Sequence, residues 1–229
     1  MTASGVRTLL LPSRRYLLIA AATTLVPGAV SASNAKVEIE IDTSNAPLLV
    51  DWAVKLKTLM LGWWPVITSV LASPGFEAPD VVKVVFRDLP PNVGAGTADN
   101  LIMVNLADIQ AHPDDTGRVA HEMVHVVQRY PQPNIQWLIE GIADYIRYYV
   151  LLPQDPKRAF DPSRATYQVG YAPAAALLDW VERKYGAGSV RRINAAMRQG
   201  GDGEAELLKI TGSTPLTLWR AYLASLKPS

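Results

Sequence analysis

Two histidines four residues apart flank a glutamate in the run His121-Glu122-Met-Val-His125. On an α-helix, residues i and i+4 lie on one face, so both imidazole rings can reach the same metal ion. Glu122 follows His121 directly and is placed to accept a proton from a water on that ion. The spacing therefore predicts a zinc centre on a helix, with Glu122 as its acid/base group.

The third metal ligand must come from another part of the chain, because a catalytic zinc usually takes three protein ligands and one water. A histidine six residues after the second one is excluded, since Pro131 occupies that position. A second predicted helix, at about 135–150, carries Glu140 and Asp144 at i and i+4 on one face. We predict Glu140 as the third ligand. Asp144 is then placed to accept the free ring N–H of His121 and fix its tautomer.

Simpler interpretations of these residues also exist. The motif can arise by chance on a polar helix, but a chance match gives no reason for a Glu and an Asp to follow in phase. A structural zinc site usually closes with four protein ligands, often cysteines, and the chain has no cysteine. Taken alone, Glu140 could also be a charged side chain on the solvent-exposed face of a helix. Its neighbours Leu138, Ile139 and Ile142 are apolar, however, and a carboxylate among them needs a partner.

The runs HEMVHVVQ and WLIEGIADY resemble the plant basic secretory proteins and their bacterial relatives, which are similar to gluzincin metallopeptidases in their H-E-x-x-H…E-x-x-x-D layout. The likeness extends to residues 81–108, 170–180 and 218–222. The resemblance implies a zincin-like α+β fold with a small N-terminal sheet, an active-site helix and a mostly helical C-terminal half. It also implies a Zn²⁺-dependent peptidase that acts on peptides or unfolded proteins.

The resemblance assigns the site residue by residue. It implies that His121, His125 and Glu140 bind zinc and that Glu122 is the catalytic acid/base. The interval between His125 and Glu140 is shorter than gluzincin aminopeptidases usually have. The connecting loop must therefore turn tightly, and its two prolines suit that.

Two further details of the chemistry are expected from the same likeness. Gluzincins add a Tyr or His from the C-terminal region to stabilise the oxyanion, and here Tyr171 is the first candidate and Tyr167 the second. Aminopeptidases of this layout hold the substrate amine with a Glu before the motif helix. The region 96–105 has no Glu, although Asp99 could substitute, so we predict an endopeptidase.

The first 32 residues have the pattern of an export signal. Arg7, Arg14 and Arg15 form a basic start, an apolar run follows at 16–26, and small residues then form a cleavage site. The apolar run is shorter than the about 20 residues that span a bilayer. We predict a cleaved signal peptide at 1–32 and a periplasmic or secreted protein. The run SRRYLL at 13–18 resembles a twin-arginine signal, and an ordinary Sec signal is the other type that fits. An uncleaved N-terminal anchor is the alternative to a cleaved signal.

The remaining residues, 33–229, are predicted to form one domain without a stable membrane span. They hold 19 basic and 21 acidic residues, a balance that gives no indication of nucleic-acid binding. Without cysteine, the stability of this exported domain must come from packing and from the metal.

The periodicity of apolar residues predicts the elements around the site. Strands are expected at 36–41, 81–86 and 101–105, with a Gly-rich loop at 92–100. Helices are expected at 47–71, at 114–129 with capping acids at its start, and at 172–185, 190–198, 204–210 and 215–226. The tryptophans of the first helix, Trp52, Trp63 and Trp64, are expected in the core.

In gluzincins the strand before the motif helix is a sheet edge that pairs with extended substrate, so the resemblance implies this role for strand 101–105. The alternative is an ordinary turn followed by a sheet strand without a binding role. The Gly-rich loop before it lacks the Lys-Ser/Thr of a phosphate-binding loop, which makes a nucleotide-binding module a weak hypothesis. The main alternative to a peptidase is a non-catalytic exported protein that binds cell-wall or peptide ligands and keeps a structural zinc. The presence of Glu122 argues against it, because a structural site has no use for a base.

Overall fold

The computed structural model describes residues 36–131, 135–155 and 159–226. In this part of the chain the strands are β1 (Glu38–Asp42), β2 (Val81–Arg87), β3 (Ala95–Ala98) and β4 (Leu101–Asn105). The helices are α1 (Val50–Val70), α2 (Leu106–Ala111), α3 (Gly117–Gln128), α4 (Gln136–Tyr145), α5 (Tyr171–Tyr185), α6 (Ser189–Arg198), α7 (Gly203–Thr211) and α8 (Pro215–Ser225). The α+β class and the helical C-terminal half are confirmed. The predicted signal peptide lies outside the described residues.

The sheet has the strand order β1-β2-β4-β3, with β1, β2 and β4 parallel and β3 antiparallel to β4. The prediction that strand 101–105 forms the edge is therefore wrong. β4 pairs on both sides, and β3 is the edge strand. The pattern at 92–100 indicated a loop because its residues are small, with little of the β-branched or aromatic character of strands. β3 forms because a two-residue turn at Asp99-Asn100, with Asp99 at φ 54°, folds it back onto β4.

The apolar face of α1 and the alternate residues of the strands form the core beside the motif helix. Leu56, Met60 and Ile67 of α1 are fully buried. Its residues Trp63 and Trp64 are also buried, as predicted. Burying one large apolar side chain contributes about 1.5–3 kcal/mol to folding. This packing therefore gives α3, which contacts α1, β3 and β4, a firm support.

The start of α3 differs from the sequence prediction. The helix begins at Gly117, after Thr116, and no side chain caps its first turn. Asp115 instead pairs with Arg118 in the first turn of α3 and with Arg147 after α4. An additional short helix, α2, precedes it and is capped by the side chain of Asn105, which accepts a hydrogen bond from the N–H of Ala107.

The end of α3 is held by Arg198 of α6. The guanidinium donates hydrogen bonds to the carbonyl oxygens of Val127 at 2.7 Å and of Leu71 at 2.6 Å, the latter at the end of α1. Burial lowers the pKa of Arg198 to about 10. A cation in this position satisfies carbonyls that the helices leave unpaired and interacts favourably with their negative ends.

α4 packs closely on α5. A Cβ added at Gly141 would lie only 2.7 Å from the Cβ of Ala174, so glycine permits the close approach. Beyond Tyr145 the helix continues as a π-helical turn, Ile146–Leu151. The four C-terminal helices α5 to α8 agree with the predicted ranges to within a residue or two.

None of the helices in the described ranges combines the length and apolar character that a membrane crossing requires.

Candidate metal centre

α3 and α4 bring the three predicted ligand side chains together. The Nε2 atom of His121 lies 3.0 Å from the Nε2 atom of His125 and 3.1 Å from the Oε2 atom of Glu140. The third side of this triangle, from His125 Nε2 to Glu140 Oε2, measures 3.6 Å. Tetrahedral ligands at zinc bond lengths of about 2.0–2.1 Å are about 3.3 Å apart. Within the part of the chain that the structure describes, this is the one group of three such side chains able to hold a metal ion.

The opposite nitrogen of each imidazole has its own partner. His121 Nδ1 lies 2.7 Å from Asp144 Oδ1, as predicted. His125 Nδ1 lies 2.7 Å from the amide oxygen of Gln128, whose nitrogen donates to the carbonyl of Ile139 at 2.9 Å and so fixes the amide orientation. A ring that donates from Nδ1 presents a lone pair at Nε2. Both rings therefore present lone pairs towards the same point.

Glu140 is positioned by neighbours on two sides. Its second oxygen, Oε1, accepts a hydrogen bond of 2.8 Å from the amide of Gln136, one helical turn earlier. On the other side, the backbone of Gly170 approaches so closely that an added Cβ would lie 3.0 Å from the Cβ of Glu140. Gly170 also has φ 73°, a conformation that favours glycine. These contacts leave Oε2 directed at the histidines.

The charges of the site favour a cation. Burial alone lowers the pKa of His121, but its hydrogen bonds to Asp144 and Glu140 and the nearby carboxylates raise it to about 9. Burial raises the pKa of Glu140, but hydrogen bonds from His121 and His125 and their charges lower it to about 2. Three lone-pair atoms directed at one point repel unless a proton or a metal ion lies among them. The arrangement can therefore bind a metal ion in competition with a proton.

Glu122 is buried beside the ligands and contacts strand β3. Its Oε2 atom accepts a hydrogen bond of 2.7 Å from the hydroxyl of Thr97. The same hydroxyl lies 3.1 Å from the main-chain oxygen of Glu122. The sequence did not indicate Thr97, because it lies in the segment that was predicted as a loop.

Of the two candidate tyrosines, Tyr171 is the one that the structure places against a metal ligand. Its ring stacks on the ring of His121, with centroids 6.0 Å apart and an interplanar angle of 16°. Burial and the neighbouring carboxylates, first that of Glu140, raise the pKa of Tyr171. Its hydroxyl is therefore protonated at neutral pH and can donate. Tyr167 packs instead against Trp137 and Trp219.

Tyr171 adopts an unusual backbone conformation at the start of α5, with φ 48°. A non-glycine residue in this region costs about 1 kcal/mol or more, and such strain is typical of functional sites. Tyr171 is 44% exposed, so the hydroxyl-bearing ring is accessible from solvent while it touches the site.

A second group of charged side chains, half-buried, lies at the start of α3. Arg118 pairs with Asp108 of α2 and, at 2.9 Å, with Asp115. Arg147, in the π-helical turn after α4, pairs with the other oxygen of Asp115 at 2.8 Å. An added Cβ at Gly117 would lie 2.7 Å from Arg147, so glycine at this position gives the arginine room. The cluster connects α2, α3 and the end of α4.

Two other titratable residues, His112 and Asp99, are not part of the ligand group. The side chain of His112 is 62% exposed and lies 3.4 Å from Asp108. Asp99 is exposed in the turn between β3 and β4.

The fold and the ligand group together define an α+β protein with a potential metal centre on its H-E-x-x-H helix. A family model described as a peptidase of plants and bacteria matches residues 98–222, more than half of the 229 residues. The chain belongs to this peptidase family, the basic secretory protein family. The match includes all three ligand candidates and Tyr171. No curated protein and no solved structure matches the chain.

Proposed function

We propose that the protein is an exported zinc-dependent endopeptidase that hydrolyses peptides or unfolded proteins. The observation that carries the proposal is the triangle formed by His121, His125 and Glu140, with Glu122 beside it, in a chain of a peptidase family. Two imidazoles and one carboxylate are a ligand combination found in catalytic zinc sites, which leave a fourth position to water or substrate.

The ligand side chains fit zinc in their chemistry as well as in their spacing. Asp144 and Gln128 hold the histidine tautomers that zinc binding requires. When bound by these three side chains, zinc would lower the pKa of a water molecule towards about 7 and polarise the substrate carbonyl.

Glu122 performs the proton transfer in this proposal. Its carboxylate accepts a proton from the attacking water and later passes it to the leaving amine nitrogen, which completes hydrolysis of the peptide bond. The side chain is buried, so few water molecules compete for it. The Tyr171 hydroxyl supplies a hydrogen bond to the oxyanion as the carbonyl becomes tetrahedral.

The edge strand β3 is the proposed binding strand for extended substrate. One edge of β3 pairs with β4, and β3 ends the sheet in the described part of the chain. An added Cβ at Gly96 would meet no atom within 4 Å, which shows open space over that face of the strand. Backbone pairing binds a peptide without reading its sequence. β3 thus takes the role that the sequence had suggested for residues 101–105.

The endopeptidase assignment follows from the residues near this strand. β3 has no glutamate to hold a substrate amine. Asp99 follows at its end, exposed in the turn, so an aminopeptidase activity is the second outcome to test. Export depends on the proposed signal peptide at 1–32, with residues 33–229 acting as one catalytic domain.

Cleavage of an unfolded, casein-like protein tests the function. Wild type is expected to cleave it, to lose activity with a chelator and to regain activity with added zinc. Glu122→Gln is expected to bind zinc, fold normally and lose at least about 10²–10⁴-fold in rate, the usual contribution of a general base. Equal cleavage by both proteins would indicate a contaminant. Zinc binding without cleavage by either protein would favour the non-catalytic binding protein.

A further inference from the structure

We propose that Thr97 is a positioning residue for Glu122: its hydroxyl holds one carboxylate oxygen of the base and couples the base to the edge strand β3. The inference rests on the proposed peptidase function and deepens it. It adds a residue from a different part of the fold to those that the H-E-x-x-H…E-x-x-x-D pattern contains.

The contact between the two residues is short and specific. Thr97 Oγ1 lies 2.7 Å from Glu122 Oε2 and 3.1 Å from the main-chain oxygen of the same residue. A hydroxyl has one proton to donate, and an ionised carboxylate can only accept. The proton is therefore shared mainly with the closer carboxylate oxygen. A hydrogen bond to a charged group is roughly twice as strong as one between neutral groups.

Anchoring one oxygen determines what the other can do. A glutamate side chain has three torsions, and fixing them costs conformational entropy. With Oε2 held by Thr97, rotation of the carboxylate is restricted and Oε1 is the oxygen left for the water proton. A displacement of about 1 Å in a reacting group can reduce a rate about 10²-fold. The hydroxyl of Thr97 therefore contributes to the rate without touching substrate.

Strand β3 places Thr97 firmly. Thr97 is paired with Ile102 in the ladder with β4. It is also β-branched, which restricts its first side-chain torsion. Alternate residues of a strand point to opposite faces. Thr97 contacts α3, whereas the Cβ position of Gly96 faces open space and Ala98 is exposed. The strand that is proposed to bind substrate thus also holds the base.

Two substitutions separate the hydroxyl from the shape of the side chain. Thr97→Val keeps the branched shape and removes the donor, whereas Thr97→Ser keeps the donor and removes the methyl group. We expect Thr97→Val to lower kcat about 10–100-fold with KM within about twofold and zinc content unchanged. Thr97→Ser should retain kcat within about threefold of wild type. Thr58→Val makes the same substitution at an exposed position of α1, where the hydroxyl bonds only to the carbonyl of Val54, and this matched control should behave as wild type.

A combination with Glu122→Ala tests whether Thr97 acts through Glu122. If it does, adding Thr97→Val to Glu122→Ala causes no further loss of the residual activity. The thermal midpoints of the four chelated proteins provide a readout that does not depend on activity. Thr97→Val is expected to lower the midpoint by about 3 °C when Glu122 is present and by less than about 1 °C when it is absent.

The outcomes distinguish this inference from the proposed function. If wild type cleaves, Glu122→Gln does not, and Thr97→Val matches wild type in kcat, the inference is wrong and the function stands. The inference would also be wrong if Thr97→Val changed only KM, or if Thr97→Val and Thr97→Ser lost equal activity. It would likewise be wrong if Thr97→Val lowered the thermal midpoint by the same amount with and without Glu122. If wild type itself does not cleave, the proposed function fails, and the midpoints alone then support or reject the contact between Thr97 and Glu122.

Discussion

The motif helix α3 contacts two groups of charged side chains, one half-buried and one largely buried, that differ in their balance of charge. The arginine cluster at its start contains Asp108, Asp115, Arg118 and Arg147. The metal-ligand cluster in its middle contains His121, Glu122, His125, Glu140 and Asp144. In the arginine cluster two carboxylates meet two guanidiniums. In the metal-ligand cluster three carboxylates and two imidazoles meet, and within the described ranges no hydrogen bond or ion pair connects them to a lysine or arginine.

This difference in balance separates a structural group of charges from a binding site. Burying an unpaired charge costs several kcal/mol, so a buried cluster needs opposite charges. The arginine cluster contains both carboxylates and guanidiniums, so it supplies its own opposite charges. The metal-ligand cluster needs a proton or a metal ion to supply positive charge, and its lone pairs are directed at one point. The comparison predicts that changes in the first cluster affect stability, whereas changes in the second affect metal affinity and catalysis.

The largest effect is expected from removing a metal ligand. Glu140→Gln removes the carboxylate charge and one of three ligand atoms, so zinc affinity should fall about a thousandfold or more, with loss of peptidase activity. Competition with a chelating dye measures the affinity. Asp115→Asn is the matched control in the other cluster and should leave the affinity within about twofold of wild type. Zinc binding by Glu140→Gln at wild-type affinity would remove Glu140 from the site.

A loss of stability without a loss of chemistry is expected in the arginine cluster. Arg147→Met leaves Asp115 with one guanidinium instead of two, and because this pair is half-buried we expect the free energy of unfolding to fall by about 1–2 kcal/mol. Urea unfolding of the chelated protein measures it. Arg183→Met, which breaks an exposed pair with Asp179, should cost less than about 0.5 kcal/mol. A tenfold change in the zinc affinity of folded Arg147→Met would show that the two clusters are not independent.

Smaller effects are expected from the partners of the histidines. Asp144→Asn should weaken zinc binding about 10–100-fold, because it removes the charge that supports His121. Gln128→Leu removes a neutral acceptor from His125 and should have a smaller effect. The same dye competition compares the two variants. Equal zinc affinities in wild type and Asp144→Asn would show that the hydrogen bond to His121 does not tune the metal.

The pH dependence of zinc binding gives the finest test of the competition with a proton. The pKa of His121 is raised to about 9, so below that pH a proton must leave the metal-free site when zinc binds. Apparent affinity should rise with pH towards about 9, rather than level off near the ordinary histidine pKa of about 6.5. Calorimetry in two buffers of different ionisation enthalpy should show about one proton released at pH 7.5. No release at that pH would contradict the charge argument.

The same pKa shifts make the stability of the chelated protein depend on pH. Because the pKa of His121 is raised on folding, its contribution is full below about 6.5 and is lost as pH rises through about 9. The pKa of Glu140 is lowered to about 2, so its contribution is present above its ordinary value and is lost as pH falls towards 2.

The sequence predicted the parts of the site that lie on regular helices. His121, His125 and the Glu140–Asp144 pair follow from the i, i+4 spacing, and the structure brings them together. The i, i+4 relation joins residues that are only a few positions apart in the chain, so it can be recognised in the local sequence. The longer helices were predicted from the helical periodicity of their apolar residues.

Contacts between distant segments could not be predicted from the sequence. Thr97 reaches Glu122 only because β3 folds against α3, and β3 consists of small residues that resemble a loop. Gln128 lies in phase with His125, but glutamine is common on helices and gave no signal. Only the family likeness ranked Tyr171 above Tyr167, because both tyrosines lie close together in the sequence near the start of α5. The direction in which the chain enters α5 decides which ring reaches His121.

The most direct test of the central claim is a crystal structure of the zinc-loaded Glu122→Gln protein with anomalous scattering measured at the zinc absorption edge. We predict a single peak within bonding distance of His121 Nε2, His125 Nε2 and Glu140 Oε2, with a non-protein fourth ligand. A peak at another place, or a fourth protein ligand that closes the site, would contradict a catalytic zinc centre on α3 and α4.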